Sequence, residues 1–477
     1  DLIQDISKKN NCIPINYYSD DNEMRCPVCD KKEQAKHSLF MRKILGAPFH
    51  LAATLPTLLE FSPTKNDKFA HPWDGRRMIT FTDSRQGTAR TAAGLQLDAE
   101  RMFIRSQVYH TLLVDEAGGN SEELVQLKNE LTIIRNELNN SGLSNTIRTI
   151  LKGQEETLCV QIEEAEGHAV ISWEQMTSRL ATRATAISQW VIENYSRNEE
   201  KFKGNNGIER LAEMLLAREF LRRPKKQNNL ESMGLVQLFY PALEKNINKV
   251  PESATDIGFE LSEWQSFLKL ILDWHVRANQ AVEHEIFWQN WIGIRFPFTK
   301  LASPSQKENI KGTASWPIVR NINNLNRIVR LLSHVYALDP SKVKDKDLIY
   351  DVMVEAWRAL KNTKILIPVG ENNFRLDLRN QVSFRLMDKG WICPITRRVL
   401  DTTLKGITPF LPQKTKEIQI ECEEIEIPVY QNAFSGKELA RQWLNSNEQV
   451  KRLREKDLWN NLYDRVIENS HYFATAE

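Results

Sequence analysis

Two cysteines near the start of the chain have the spacing of metal ligands. Cys26 and Cys29 flank a Pro-Val pair, and this separation lets both thiolates face one tetrahedral zinc ion. Cys12 would supply a third ligand and His37 a fourth; alternatively, the other ligand pair lies upstream of the first residue. The pattern predicts a zinc knuckle, and two free thiols on a polar surface loop are the alternative.

The segment FTDSRQGTARTA (81–92) joins a polar turn to the start of a helix. The apolar residues RRMITFT before it predict a buried strand, so the turn would place Ser84, Arg85 and Gln86 at the carboxyl edge of a sheet. Open α/β sheets bind ligands at that edge, and the first N–H groups of the following helix favour phosphate oxygens. In the alternative, Arg85 only pairs with Asp83 or caps a neighbouring element.

A second cluster of cations lies in LRRPKKQNN (221–229). Arg222, Arg223, Lys225 and Lys226 surround a proline that must interrupt a helix. Four cations in one loop can neutralise several phosphates of a nucleic acid. A solvated loop without a ligand is the alternative.

The sequence lacks the motifs that bind ATP. It contains no G-x-x-x-x-G-K-[ST] phosphate loop, since the Gly-Lys pair at 436–437 is followed by Glu438. LLVDEAGG (112–119) looks like a DEAH-type metal-binding box, but Gly118 stands where a histidine is expected and the segment ends a helical pattern. We interpret it as a helix terminus and expect no ATP binding by this chain alone.

Composition describes a globular protein, with 41% hydrophobic and 26% charged residues among 477. The net charge of +2 is too small for a general attraction to nucleic acid, so any binding must come from local basic patches. The six cysteines form only one close pair, which suits a reducing cytoplasm. No apolar run approaches the roughly 20 residues that span a bilayer. We expect a cytoplasmic protein without a membrane segment.

Hydrophobic periodicity predicts an α/β chain that is mostly helical. Two apolar stretches, KILIPV and FRLDL, flank the turn GENN after a helix, which predicts a winged-helix-like β-hairpin module. WICPITRRVLDTT predicts another hairpin, and EIQIECEEIEIPVY alternates like one or two strands. An aromatic-rich helical strip is expected to be core; it contains Trp264, Phe267, Leu268, Ile271 and Trp274.

FTDSRQGTARTA, placed after an apolar strand, resembles motif IV of the large prokaryotic superfamily 2 DEAD/DEAH-type helicases of anti-phage defence systems, such as Druantia and DISARM. Four further stretches resemble that family, most closely its Druantia-type branch. Together with 81–92 they are called the resembling stretches, and they are GAPFHLAATLPTLLE (46–60), REFLRRPKKQNNLESMGLV (218–236), WICPITRRVLDTTLKGITPFLP (391–412) and YFATAE (472–477).

The resemblance implies a fragment that covers the start of the second RecA-like parallel-sheet lobe and a large helical insertion. It also implies that the motif IV loop lies along the nucleic-acid strand, which makes Ser84, Arg85 and Gln86 backbone contacts. The expected segments are a zinc-knuckle-like linker (1–45), the start of the RecA-like lobe (46–115), a coiled helical hairpin (116–170), a helical insertion (171–320), the winged-helix-like module (321–412) and a return to the lobe (413–477).

Two functions follow as hypotheses. In the first, the chain contributes nucleic-acid contact and lobe architecture to an ATP-dependent DNA helicase or translocase of anti-phage defence. ATP and Mg²⁺ would then bind only in the full-length parent, and the partners would be DNA, the first RecA-like lobe and other defence subunits. In the second, the chain is a non-catalytic helical scaffold whose zinc knuckle binds protein partners.

Overall fold

The computed structural model describes residues 47–64, 72–79, 85–119, 170–183, 191–221, 228–292, 298–306, 311–370, 372–413 and 418–473. It also describes short pieces at 19–20, 23–24, 130–135, 137–138, 148, 151, 153–155 and 158. The expected α/β class with mostly helical content is confirmed, at about 54% helix and 12% strand.

One long helix, α2 (Arg85–Gly119), is central to the fold. Its 35 residues span about 52 Å at 1.5 Å per residue. Every residue from 99 to 113 is buried, so this part of the helix is enclosed on all sides by other elements. Helix α1 (Ala47–Glu60) packs against it and contributes Leu55 and Leu59 to the core.

Among the helices that follow, those that begin at Trp173, Gly207 and Asn461 pack against α2. Their bounds are α3 (Trp173–Arg183), α4 (Ile192–Asn198), α5 (Gly207–Phe220), α6 (Pro241–Asn246), α7 (Glu252–Thr255), α8 (Leu261–Arg277), α9 (Trp288–Ile292), α10 (Arg327–Val335), α11 (Val343–Asn362), α12 (Leu378–Gln381), α13 (Lys437–Ser446), α14 (Glu448–Glu455) and α15 (Asn461–Ile467).

Helix α8 carries the predicted aromatic strip. It begins with a capping box. The Glu260 side chain accepts a hydrogen bond from the backbone N–H of Glu263, and the Glu263 side chain accepts one from the backbone N–H of Glu260. Trp264 and Phe267 are buried, as are Leu268 and Ile271. The prediction that this strip is core is therefore confirmed.

The strands form small sheets. Their bounds are β1 (Ser19–Asp20), β2 (Glu23–Met24), β3 (Ile171–Ser172), β4 (Val236–Phe239), β5 (Lys300–Ala302), β6 (Thr313–Ser315), β7 (Leu366–Pro368), β8 (Asn373–Leu376), β9 (Ser383–Leu386), β10 (Lys389–Ile392), β11 (Val399–Leu400) and β12 (Glu423–Glu426). The sheet orders are β1-β2, β11-β10-β12, β3-β9-β4 and β6-β5-β8-β7.

The hairpins predicted near the middle of the chain are confirmed. Strands β7 and β8 pair antiparallel directly after α11, and β10 pairs antiparallel with β11. Strand β8 also pairs with β5, and β9 pairs with β3 and β4. The β7–β8 hairpin therefore belongs to a four-stranded sheet whose other two strands, β5 and β6, come from before residue 320.

The strand predicted over RRMITFT (76–82) is wrong over residues 76–79, which have no regular secondary structure. The remaining residues of that stretch, from 80, lie outside the described part. Arg76 gives the physical reason, because its guanidinium donates to the carbonyl oxygens of Leu59, Glu60 and Ser62 at the end of α1. The segment is thereby fastened to a helix end instead of to a sheet.

Among the described strands, only β5 and β6 pair in parallel. The parallel sheet expected of a RecA-like lobe is not among these sheets. Within the same residues, none of the helices combines the length and apolarity that a membrane crossing requires.

Candidate nucleic-acid interface

Helix α2 is held by buried ionic groups that come from distant parts of the sequence. Glu100 Oε2 accepts from Arg218 Nη2 at 2.8 Å and from the Tyr195 hydroxyl at 2.9 Å. Arg218 Nη1 also donates to the Tyr195 oxygen at 2.9 Å. Glu100 and Arg218 are 2% and 1% exposed. Removing one partner would leave a buried charge without compensation, which costs about 3–5 kcal/mol.

A second buried pair lies further along the same helix. Arg105 Nε donates to Glu219 Oε1 at 2.6 Å, and the Leu230 amide donates to the same oxygen at 3.0 Å. The guanidinium groups of Arg101 and Arg105 both donate to the carbonyl of Asn228. The chain on either side of residues 222–227 is therefore fastened to α2.

The structure fixes the position of part of the predicted motif IV. Arg85 and Gln86 are the first two residues of α2, so the helix expected after the polar turn is confirmed. Ser84 lies outside the described residues, as do Arg222, Arg223, Lys225 and Lys226.

One helix connects Arg85 with the described chain that follows the predicted basic run. Arg101, which contacts Asn228, follows Arg85 by 16 residues (101 − 85), or about 24 Å of helix. The α-helix therefore sets the spacing between Arg85 and the point at which Asn228 is bound.

LLVDEAGG (112–119) is the last part of α2, which ends at Gly119. Its prediction as part of a helix is confirmed, and the residues after Gly119 lie outside the described ones. Asp115 pairs with Arg179 of α3, so its carboxylate is held by an arginine.

The predicted zinc ligands Cys26, Cys29 and Cys12 lie outside the described residues, as does His37. Between Cys12 and Cys26, the short strands β1 and β2 pair antiparallel.

Three acidic side chains that the sequence did not single out meet in the interior. The carboxylates of Glu231, Asp273 and Asp401 each offer an oxygen within 4.8 Å of the others and could hold a metal ion. Two cations already contact them: Lys269 Nζ lies 2.7 Å from Asp273 Oδ2 and also binds Asp401, and Arg277 Nη2 lies 2.7 Å from Glu231 Oε1. With both cations in place and all three carboxylates ionised, the cluster keeps one excess negative charge.

Burial and the cations act in opposite directions on these acids. Burial raises the pKa of Asp273 to about 7 although Lys269 and Arg277 lower it. Burial also acts to raise the pKa of Asp401, but the same two cations bring it below its ordinary value. A divalent cation would have to displace the Lys269 ammonium, so the cluster as it stands is a buried ion-pair network.

A polar cleft, called here the Trp73 cleft, opens between the end of α1 and the C-terminal helices. Its walls combine two aromatic rings with both signs of charge. They include Glu60, Trp73, Lys437, Arg441, Asn461 and His471. Sequence reasoning missed this cleft, because its members are separated by up to about 400 positions and share no spacing pattern.

Comparison of the chain with protein-family models, with curated proteins and with solved structures found no match.

Proposed function

We propose that this chain is part of an ATP-dependent DNA helicase or translocase of anti-phage defence, in which it contributes nucleic-acid contact and lobe architecture but not the ATP site. One observation carries the proposal: resembling stretches that are distant in sequence meet on α2. The 46–60 stretch forms α1 against it, and the 81–92 stretch begins it. The 218–236 stretch supplies Arg218 and Glu219 to its buried pairs.

The last resembling stretch reaches the same helix. The Tyr472 hydroxyl binds the Gln96 amide, and its ring packs edge-on against Phe103. The 391–412 stretch joins 218–236 through the acidic cluster, where Asp401 lies beside Glu231. This convergence supports a shared structural role for the stretches that resemble the helicase family.

The placement of charge suits a strand of nucleic acid. The N-terminal end of α2 carries a partial positive charge, which favours phosphate, and Arg85 is the first residue of this helix. The basic run precedes Asn228 in the sequence, and Arg101 holds the Asn228 carbonyl about 24 Å further along the helix. At about 3.4 Å per phosphate of one strand, this separation corresponds to about seven nucleotides.

ATP and Mg²⁺ would bind in the full-length parent, at an interface with its first RecA-like lobe. Closure of that interface would move α2 and the segment around Arg218 and Glu219 as one body, since buried ion pairs fasten them together. Cys26 and Cys29, with Cys12, would hold a structural zinc ion in the linker before α1.

The alternative is a helical scaffold that binds protein partners. It is favoured by large apolar side chains that are exposed on α1 and in the segments after it, namely Leu58 (52% exposed), Phe61 (80%) and Ile79 (79%). An exposed apolar patch marks an interaction surface. The first lobe of the helicase or another defence subunit would bind this apolar surface equally well.

The test uses the full-length parent, with ATP hydrolysis measured with and without single-stranded DNA. We expect DNA to stimulate hydrolysis and Arg85→Ala to reduce the stimulation while leaving basal turnover intact. Asp115→Asn is the control, because its carboxylate pairs with Arg179 and would not bind a metal. A parent without DNA-stimulated hydrolysis would favour the scaffold, and loss of hydrolysis in Asp115→Asn would restore LLVDEAGG as a metal-binding box.

A further inference from the structure

The Trp73 cleft is built around a strained turn. Trp73 and Asp74 have φ values of 46° and 56°, in the left-handed region, within the short 3₁₀ turn Pro72–Gly75. Such a conformation costs about 1–3 kcal/mol per residue and persists only where neighbouring contacts enforce it. The hydrogen bonds of Arg76 to the end of α1 do so on one side. The turn therefore holds the indole in the cleft at an energetic cost.

The indole has both an aromatic neighbour and a cation. Its ring stacks on His471, with centroids 5.4 Å apart and planes inclined by 20°. Lys437 Nζ lies 5.0 Å from the indole centroid. The lysine is on a flexible stem, so its ammonium can move aside and still reach a ligand beside the ring.

His471 presents an uncharged ring. Burial lowers the pKa of His471, and Lys437 and Arg76 lower it further against Asp74 and Glu60, which raise it. A neutral imidazole supports stacking of flat rings, and the same cations favour an anion near it.

Both signs of charge line the walls. Glu60 pairs with Lys437 at 3.2 Å and with Arg441 at 2.9 Å, and Arg441 also pairs with Glu468 at 2.8 Å. A simple anion fits this cleft poorly, because it would be repelled by the carboxylates. An uncharged sugar also fits poorly, because it would leave the cations without an anionic partner. A nucleotide suits all three features, because its base stacks, its ring N–H and amino groups donate to carboxylates, and its phosphate binds Lys or Arg.

The cleft also lies beside the helix that supports motif IV. His471 precedes Tyr472, which binds Gln96 of α2, and the Trp73 ring packs against Phe473. Gln96 follows Arg85 by 11 residues (96 − 85), or about 16 Å of helix. The point of α2 beside the cleft is therefore separated from Arg85 by a length that about five nucleotides of one strand would span.

We propose that the Trp73 cleft is a nucleotide subsite, in which one unstacked base of a single strand packs on the Trp73 indole while its phosphate is bound by Lys437 and Arg441. The single strand as the source of the nucleotide rests on the proposed function; the chemistry of the cleft does not. A free nucleoside monophosphate would use the same contacts.

The experiment measures binding of a labelled twelve-nucleotide dT strand by fluorescence anisotropy, and of thymidine 5′-monophosphate by quenching of tryptophan fluorescence, with the whole chain. Trp73→Ala removes the stacking face and should weaken strand binding by about 5- to 150-fold, the range for loss of base–aromatic stacking. Lys437→Gln should weaken both ligands but keep the quenching by bound monophosphate. Trp73→Phe should retain most of the affinity while losing that quenching.

Lys344→Gln is the matched control, because Lys344 is an exposed lysine on α11 outside the cleft. Circular dichroism checks that each variant is folded. If Trp73→Ala does not fold, the subsite is tested by Trp73→Phe and Lys437→Gln alone. Strand binding that is equal in wild type and cleft variants overturns the subsite and leaves the proposed function standing. Monophosphate binding without strand binding keeps the subsite and contradicts the proposed function. Binding of neither probe overturns both.

Discussion

His110 of α2 should make stability depend on pH in a defined window. Its Nε2 lies 3.1 Å from the carbonyl oxygens of Val466 and Ile467, and the Phe434 amide donates to its Nδ1 at 2.9 Å. Carbonyls only accept and the amide only donates, so these partners select the neutral tautomer with its proton on Nε2. A second proton on Nδ1 would face the amide N–H without an acceptor.

The magnitude follows from the pKa shift. Burial lowers the pKa of His110 from 6.5 to about 4, against the two carbonyl hydrogen bonds, which raise it. As pH falls below 6.5, the unfolded chain binds a proton that the folded chain refuses. The free energy of unfolding therefore falls by about 1.4 kcal/mol per pH unit between pH 6.5 and 4, or about 3 kcal/mol in all.

The assay is urea denaturation at several pH values between 7 and 4, for wild type and for His110→Gln. The variant lacks this titration, so we expect its stability to fall less steeply with acid, even though it is less stable at pH 7. His334→Gln, which changes an exposed histidine, should follow wild type. Parallel pH profiles for wild type and His110→Gln would refute the reasoning.

Three further changes test the buried ionic groups and the predicted metal site. Glu100→Gln and Arg218→Met should each reduce the free energy of unfolding by about 3–5 kcal/mol, whereas the double variant should cost much less than the sum of the two; an additive result would mean that the pair is not coupled. Lys269→Met leaves the acidic cluster with one cation, so added Mg²⁺ should raise its melting temperature more than that of wild type; equal shifts would show that the cluster does not hold a metal. Elemental analysis should find about one zinc per chain, lost in Cys26→Ser or Cys29→Ser; a metal-free, folded wild type would count against the knuckle.

Local pattern was enough to predict elements whose contacts are local. The start of α2 after the polar turn, the aromatic strip of α8 and the β7–β8 hairpin each follow from spacing or turn residues within a short window. The strand over 76–79 failed because Arg76 binds the end of α1, a contact that no periodicity records.

The buried ion pairs could not be found in the same way. Glu100 and Arg218 are separated by 118 positions, and an acid on a long helix is expected to face solvent. The acidic cluster left a partial signal, since Lys269, Asp273 and Arg277 repeat at every fourth residue of an otherwise apolar helix. The remaining acids come from two other segments, whose approach depends on the tertiary fold.

Binding of single-stranded DNA across a salt series tests most directly whether α2 carries a nucleic-acid interface. The measurement is fluorescence anisotropy with a labelled single strand on wild type, on Arg85→Ala and on the Lys225→Ala/Lys226→Ala double variant, with Lys344→Ala as the control. If both basic sites bind phosphate, the slope of log affinity against log salt should fall by about one unit for Arg85→Ala and about two for the double variant, with little dependence on base sequence. Affinity and slope that match wild type in both variants would contradict the interface and leave the scaffold as the better proposal.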